Sequence, residues 1–114
     1  MRIRDMLYVL MQRPMLFTIG VTSGLTTTGT CFYHISEKMV RLDLFIQGTI
    51  TTSTVLGTIG ERFRPSVARS VGALIVTTSN VMLPISVTIN PDGTIKQNSS
   101  NSVKTIMIHG LYYQ

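Results

Sequence analysis

The chain has 114 residues, 44% hydrophobic and only 13% charged, with a net charge of +5. That length holds one domain with one modest core. The apolar content excludes a disordered chain, and the lone Cys31 excludes a disulfide-stapled fold. Soluble proteins carry about a quarter of their residues as charges, so a covered surface is expected here, and a homo-oligomer is the simplest cover.

The first fourteen residues differ in kind from the rest. Ile3, Met6, Leu7, Leu10 and Met11 recur at spacings of three and four, which predicts a helix over residues 1–14 with one apolar stripe. Asp5 suits the positive end of that helix, and Pro14 closes it. About three turns do not hold alone in water, so the five stripe residues are candidates for an oligomer interface. Asp5 among the leading basic residues and the break at Gln12, Arg13 and Pro14 argue against a cleaved signal peptide.

From Met15 onward the chain reads as strands, rich in the β-branched residues that fit a pleated surface. Strands are predicted over residues 17–21, then 30–36 after a loop at 24–29. Residues 39–50 alternate strictly: Val40, Leu42, Leu44 and Ile46 point one way, Arg41, Asp43, Phe45 and Gln47 the other. A short strand over 55–59 precedes a loop at 60–65, where Pro65 excludes a central strand. Residues 69–78 and 81–90 predict a hairpin turning at Ser79 and Asn80, with Val81, Leu83, Ile85, Val87 and Ile89 on one face. Asn90, Pro91, Asp92 and Gly93 spell a tight turn, because proline presets φ and glycine accepts positive φ. Strands over 94–97 and 103–112 flank a polar loop. About eight short strands with turn-rich connections predict an all-β fold, an antiparallel β-sandwich or jelly roll behind a short N-terminal α-helix. The domain division is therefore 1–14 for the helix and 15–114 for the sandwich.

The ten basic residues are scattered, and only Arg62, Arg64 and Arg69 lie near one another, so nucleic acid is not expected as a partner. No apolar run approaches the ~18 residues of a membrane span. No pair of the five acids sits in a general acid–base arrangement, and no nucleophile-elbow or phosphate-cradling motif occurs. Asp92 reads as a turn residue that hydrogen-bonds its own backbone. Cys31 and His34, three apart on a strand, face opposite ways, which disfavours a zinc site shared with His109. Cys31 beside Phe32 and Tyr33 reads as a buried thiol. No catalytic residue, metal or cofactor is expected. Asn98, Ser99 and Ser100 match a glycosylation triplet, a pattern that carries weight only on a secretory route. Rings and donors (Tyr33, Arg62, Arg64 and His109) are the candidate ligand-binding set, suited to a saccharide.

An ordered set of features spans residues 39–114. A strand ending in Gln47-Gly48-Thr49-Ile50 leads to Thr54-Val55-Leu56-Gly57-Thr58-Ile59 and then to the loop Gly60-Glu61-Arg62-Phe63-Arg64-Pro65. A long hairpin follows, then Val87-Thr88-Ile89-Asn90-Pro91-Asp92-Gly93-Thr94-Ile95 and a closing strand ending in Gly110-Leu111-Tyr112. In order and spacing this resembles the C-terminal head modules of tailed-bacteriophage receptor-binding and baseplate (tail fibre) proteins. Ile59-Gly60 stands here where those modules carry Leu-Pro. The resemblance implies a non-enzymatic virion protein of the tail or baseplate, made in the bacterial host cytoplasm. It further implies a homotrimer that binds a host cell-wall saccharide and docks to other virion proteins through its helix. The alternative is a capsid decoration or head-fibre protein with no receptor role.

Overall fold

The computed structural model describes residues 2–4, 6, 13–51 and 54–114. Among the described residues nine strands form one antiparallel sheet: β1 (Met15–Phe17), β2 (Gly20–Val21), β3 (Thr26–His34), β4 (Met39–Ile50), β5 (Val55–Thr58), β6 (Arg69–Thr77), β7 (Met82–Ile89), β8 (Thr94–Gln97) and β9 (Val103–Tyr113). A single 3-10 turn, Glu61–Phe63, interrupts the loop between β5 and β6. The protein is thus all-β and antiparallel, as the strand text predicts. Its strands run as one continuous curled sheet in the order β1-β3-β4-β9-β6-β7-β8-β5-β2.

The alternation in residues 39–50 is matched in full by β4. Val40, Leu42, Ile46 and Ile50 are entirely buried, while Arg41, Phe45 and Gln47 face outward. On β9, which pairs with β4 along nearly its whole length, Ile106 sits opposite Ile46 and Ile108 opposite Leu44. Ile75 of β6 lies opposite Ile106 in turn, so one lateral row of isoleucines crosses the middle of the core. Val87, Ile89 and Ile95 extend the core into β7 and β8. Val81 falls before β7 and is exposed; its predicted partners Leu83 and Ile85 are partly buried against the core.

The expected strand over 17–21 is divided between two partners. β1 pairs with β3 at one end of the strand order, and β2 pairs with β5 at the other. Only Thr18 and Ile19 separate them, so the two edges of the sheet lie within ~11 Å of each other. Segment 15–21 is therefore a strap that draws the sheet closed. Met15, Phe17, Ile19 and Val21 turn inward, and Leu16, Thr18 and Gly20 turn out. A strand that changes partners at a corner covers part of each open edge, here Cys31–Tyr33 of β3 and Gly57–Thr58 of β5.

The predicted loop at 24–29 is mostly strand, since β3 begins at Thr26. Gly29 is what misleads a reader of the sequence. Its φ of +114° bends β3 toward β4, and a Cβ there would stand 2.0 Å from the Asp43 carbonyl oxygen. Glycine inside a strand marks such a close backbone approach. Both predicted turns form. The Asn80 backbone takes φ +64° in the β6–β7 hairpin, and the Gly93 N–H donates to the Asn90 carbonyl at 2.8 Å. The predicted helix falls largely on Met1, Asp5 and residues 7–12, outside the described residues, as do the interface candidates Leu7, Leu10 and Met11. Ile3, Arg4 and Met6 have helical backbone, with the Met6 N–H bonded to the Arg2 carbonyl at 3.0 Å, and Ile3 and Met6 are exposed.

Candidate functional site

The strand pairings give the molecule two ends. Met15 lies opposite Tyr33, His34 opposite Met39, and Met39 opposite Tyr113. The chain therefore enters the sheet at the same end as the β3–β4 turn, the loop between β5 and β6, and the C-terminus. We call this the arm end. The hairpin end carries the β6–β7 turn and the loop between β8 and β9, where Thr77 pairs with Val103.

At the arm end the 3-10 turn is built by aromatic packing and side-chain donors. The Phe63 ring stacks on Phe17 with centroids 4.0 Å apart and meets the edge of Tyr33 at 5.3 Å. The Tyr112 hydroxyl donates to the Phe63 carbonyl. The Gln114 amide donates to the Arg62 carbonyl at 2.8 Å and to the Arg64 carbonyl at 3.1 Å. Arg64 reaches back to the Ile59 carbonyl at 2.9 Å. Three successive carbonyls of the turn thus each receive a side-chain donor from β9 or the C-terminus. Burial, and to a lesser degree nearby Cys31, pushes the ionisation of Tyr112 well above the usual tyrosine range.

Tyr33, Arg62 and Arg64 therefore come together, as the loop and β3 share this end. Arg62 is exposed and its guanidinium stands 5.9 Å from the Tyr33 ring centroid. Tyr33 itself is only 8% exposed, so it offers little ring face to a ligand.

His109 belongs to a different place, the middle of the outer face. There it hydrogen-bonds through Nδ1 to the Asp43 carboxylate, its directly opposite residue on β4. Arg41 completes the group, with Nε 3.8 Å from the other Asp43 oxygen and its guanidinium 4.5 Å above the Phe32 ring. These are solvent-facing contacts of small energetic weight.

Nothing nucleophilic or metal-binding is assembled among the described residues. Cys31 is fully buried and unpaired, and burial, reinforced by Asp43, pushes its thiol up to about 11. It is therefore a protonated packing residue at neutral pH. No group of three or more metal-ligating side chains occurs among the described residues. No helix of the described residues is long and apolar enough to cross a membrane. Asp92 caps its own turn, accepting from the Thr94 N–H at 3.0 Å and the Thr94 hydroxyl at 2.7 Å, which holds its carboxyl below the usual range. Asn98 of the glycosylation triplet spends both ends of its amide on β7, donating to Ser86 and accepting from Thr88.

The hairpin end holds a cleft of about 390 Å³ that the sequence reading did not single out. Residues 77–79 form one wall, residues 100–102 the other, and Val81 and Leu83 add apolar surface. The Thr78 N–H bridges the walls by donating to the Ser102 carbonyl at 3.1 Å. Gln97, almost fully buried, fixes the second wall by donating to the Asn101 carbonyl and accepting from the Ser99 hydroxyl at 2.8 Å. The lining is hydroxyl-rich and carries no charge. The sequence held one clue, a run of Thr, Ser and Asn in two loops. Only the β6–β9 pairing shows that the two loops meet.

No protein-family model matches this chain, and no curated protein matches it.

Proposed function

We propose that this chain is a non-enzymatic structural protein of a bacteriophage tail or baseplate. It assembles as a homotrimer, docks to the virion through residues 1–14, and recognises a host cell-wall saccharide. One observation carries the reading: the polarity of the fold. The apolar stripe precedes Met15, which is at the arm end, whereas the uncharged hydroxyl cleft stands at the opposite end, where nothing attached through the arm would cover it.

The chemistry of each end fits its role. A neutral saccharide offers hydroxyls that pair with the Thr, Ser and Asn groups of the cleft, and C–H faces that pack on Val81 and Leu83. The arm end instead offers a braced, cationic loop with Arg62 exposed. In this reading Arg62, Arg64 and Tyr33 serve the junction with neighbouring virion proteins, and ligand contact falls to the cleft.

Immobilised full-length protein incubated with a panel of bacterial cell-wall polysaccharides tests the proposal. Retention of at least one polysaccharide is expected, with loss when the cleft is filled by Ser79→Trp or Asn101→Trp and no loss in Arg62→Ala. Retention of none, with the protein located on the capsid by immuno-electron microscopy, would favour the decoration-protein alternative. Retention that depends on Arg62 and not on the cleft would move the recognition site to the arm end.

A further inference from the structure

The outer face of the sheet departs from the polar pattern that a solvated antiparallel sheet shows. Directly opposite residues share a face, so the strand registers fix its rows. Phe45 of β4, Met107 of β9, Leu74 of β6 and Pro84 of β7 form one lateral row across four strands. The next row toward the hairpin end is Gln47, Thr105, Val76 and Met82. Neither row contains a charge. Toward the arm end the Asp43–His109 pair and Arg41 interrupt this surface, and beyond that pair Leu111 and Tyr113 are 44% and 54% exposed; Met82 marks the far corner at 61%.

We infer that this outer face of β4, β9, β6 and β7 is a contact surface between copies of this chain. The inference rests on the proposed self-assembling role and supplies it with a surface beyond the N-terminal stripe. A second copy is the occupant for two reasons. The first is charge. At a net +5, copies repel one another over most orientations. On this face the only acid, Asp43, is grouped with Arg41 and His109, while the rows that begin at Phe45 and Gln47 are uncharged, so the repulsion is least here. The second reason is area. Four strands at ~4.8 Å spacing, over the eight residue steps from Met39 to Gln47 at ~3.4 Å each, cover about 500 Å² in projection, the Arg41, Asp43 and His109 group included. Buried against an equal area of a neighbouring copy, this face gives a contact of about 1,000 Å² in total, the lower bound for a specific interface.

The test is native mass spectrometry and sedimentation velocity on the full chain across the micromolar range. The wild type is expected to be oligomeric. Met107→Lys and, separately, Met82→Lys should each weaken assembly at least about tenfold by placing an unpaired charge in the contact. Met82 projects from the surface, so its substitution leaves folding intact, as circular dichroism will verify. Leu10→Asp forms the parallel arm. If Leu10→Asp dissociates the oligomer and neither lysine variant does, the sheet face is not the contact and the inference falls while the assembly reading stands. A wild-type monomer overturns both. An oligomer that appears only after a second virion protein is added assigns the face to that partner and refutes self-contact.

Discussion

Replacing Tyr112 by Phe removes one oxygen and leaves the ring in place, which makes it a clean probe of the brace at the arm end. Tyr112 is 3% exposed, and its hydroxyl donates to the Phe63 carbonyl beneath the aromatic stack of Phe17, Phe63 and Tyr33. Losing the donor leaves a part-buried carbonyl without that partner, which costs about 1–2 kcal/mol. For a domain of this size, each kcal/mol lowers the midpoint of thermal unfolding by about 3–6 °C. Calorimetry on wild type, Tyr112→Phe, Gln114→Ala and the double variant would measure the loss and its coupling. The two side chains hold adjacent carbonyls of one turn, so their effects should not add. Absorbance titration gives an independent reading, because burial should hold Tyr112 un-ionised well above the usual tyrosine range until the fold opens. An unchanged midpoint in Tyr112→Phe, or strict additivity in the cycle, would refute the claim that β9 braces the loop.

Three other outcomes are expected. Ile106→Ala, which empties the middle of the isoleucine row, should cost about 2–5 kcal/mol in denaturant unfolding. Gly29→Ala forces a side chain into positive φ and against the Asp43 carbonyl, so it should destabilise by about 1–3 kcal/mol or more in the same assay. The folded Cys31 thiol ionises near 11 and the unfolded one near the ordinary 9.0, so only the unfolded chain loses its proton between these values. Cys31 therefore contributes stability that is complete below pH 9 and is lost as pH rises toward 11, by an amount on the order of 2 kcal/mol. Cys31→Ala should flatten that alkaline slope in unfolding measurements, and the wild-type thiol should resist alkylation until the protein unfolds.

The strands were legible where a side chain alternates between two environments. The β4 bounds follow from its period of two, and the β7–β8 turn from the φ preferences of Pro91 and Gly93. These are local properties, written in each residue's own neighbours. Gly29 was not legible in this way, because glycine marks a loop and a close backbone approach alike, and only the partner strand separates the two. The grouping of Tyr33, Arg62 and Arg64 at one end was half visible, since the two arginines share a loop. That His109 stands apart from them, opposite Asp43, depends on a pairing between residues 66 positions apart.

By itself, then, the sequence determined the all-β character, most strand bounds, both turns and the inward set of core residues, because burial and backbone sterics act through side chains a few positions apart. The tertiary structure alone decided that segment 15–21 straps two edges together, that two hydroxyl-rich loops meet as a cleft, and that outward apolar residues line up across four strands. Those outcomes depend on which strands become neighbours. Strand order reflects how the whole sheet closes around a shared core, and no local pattern encodes it.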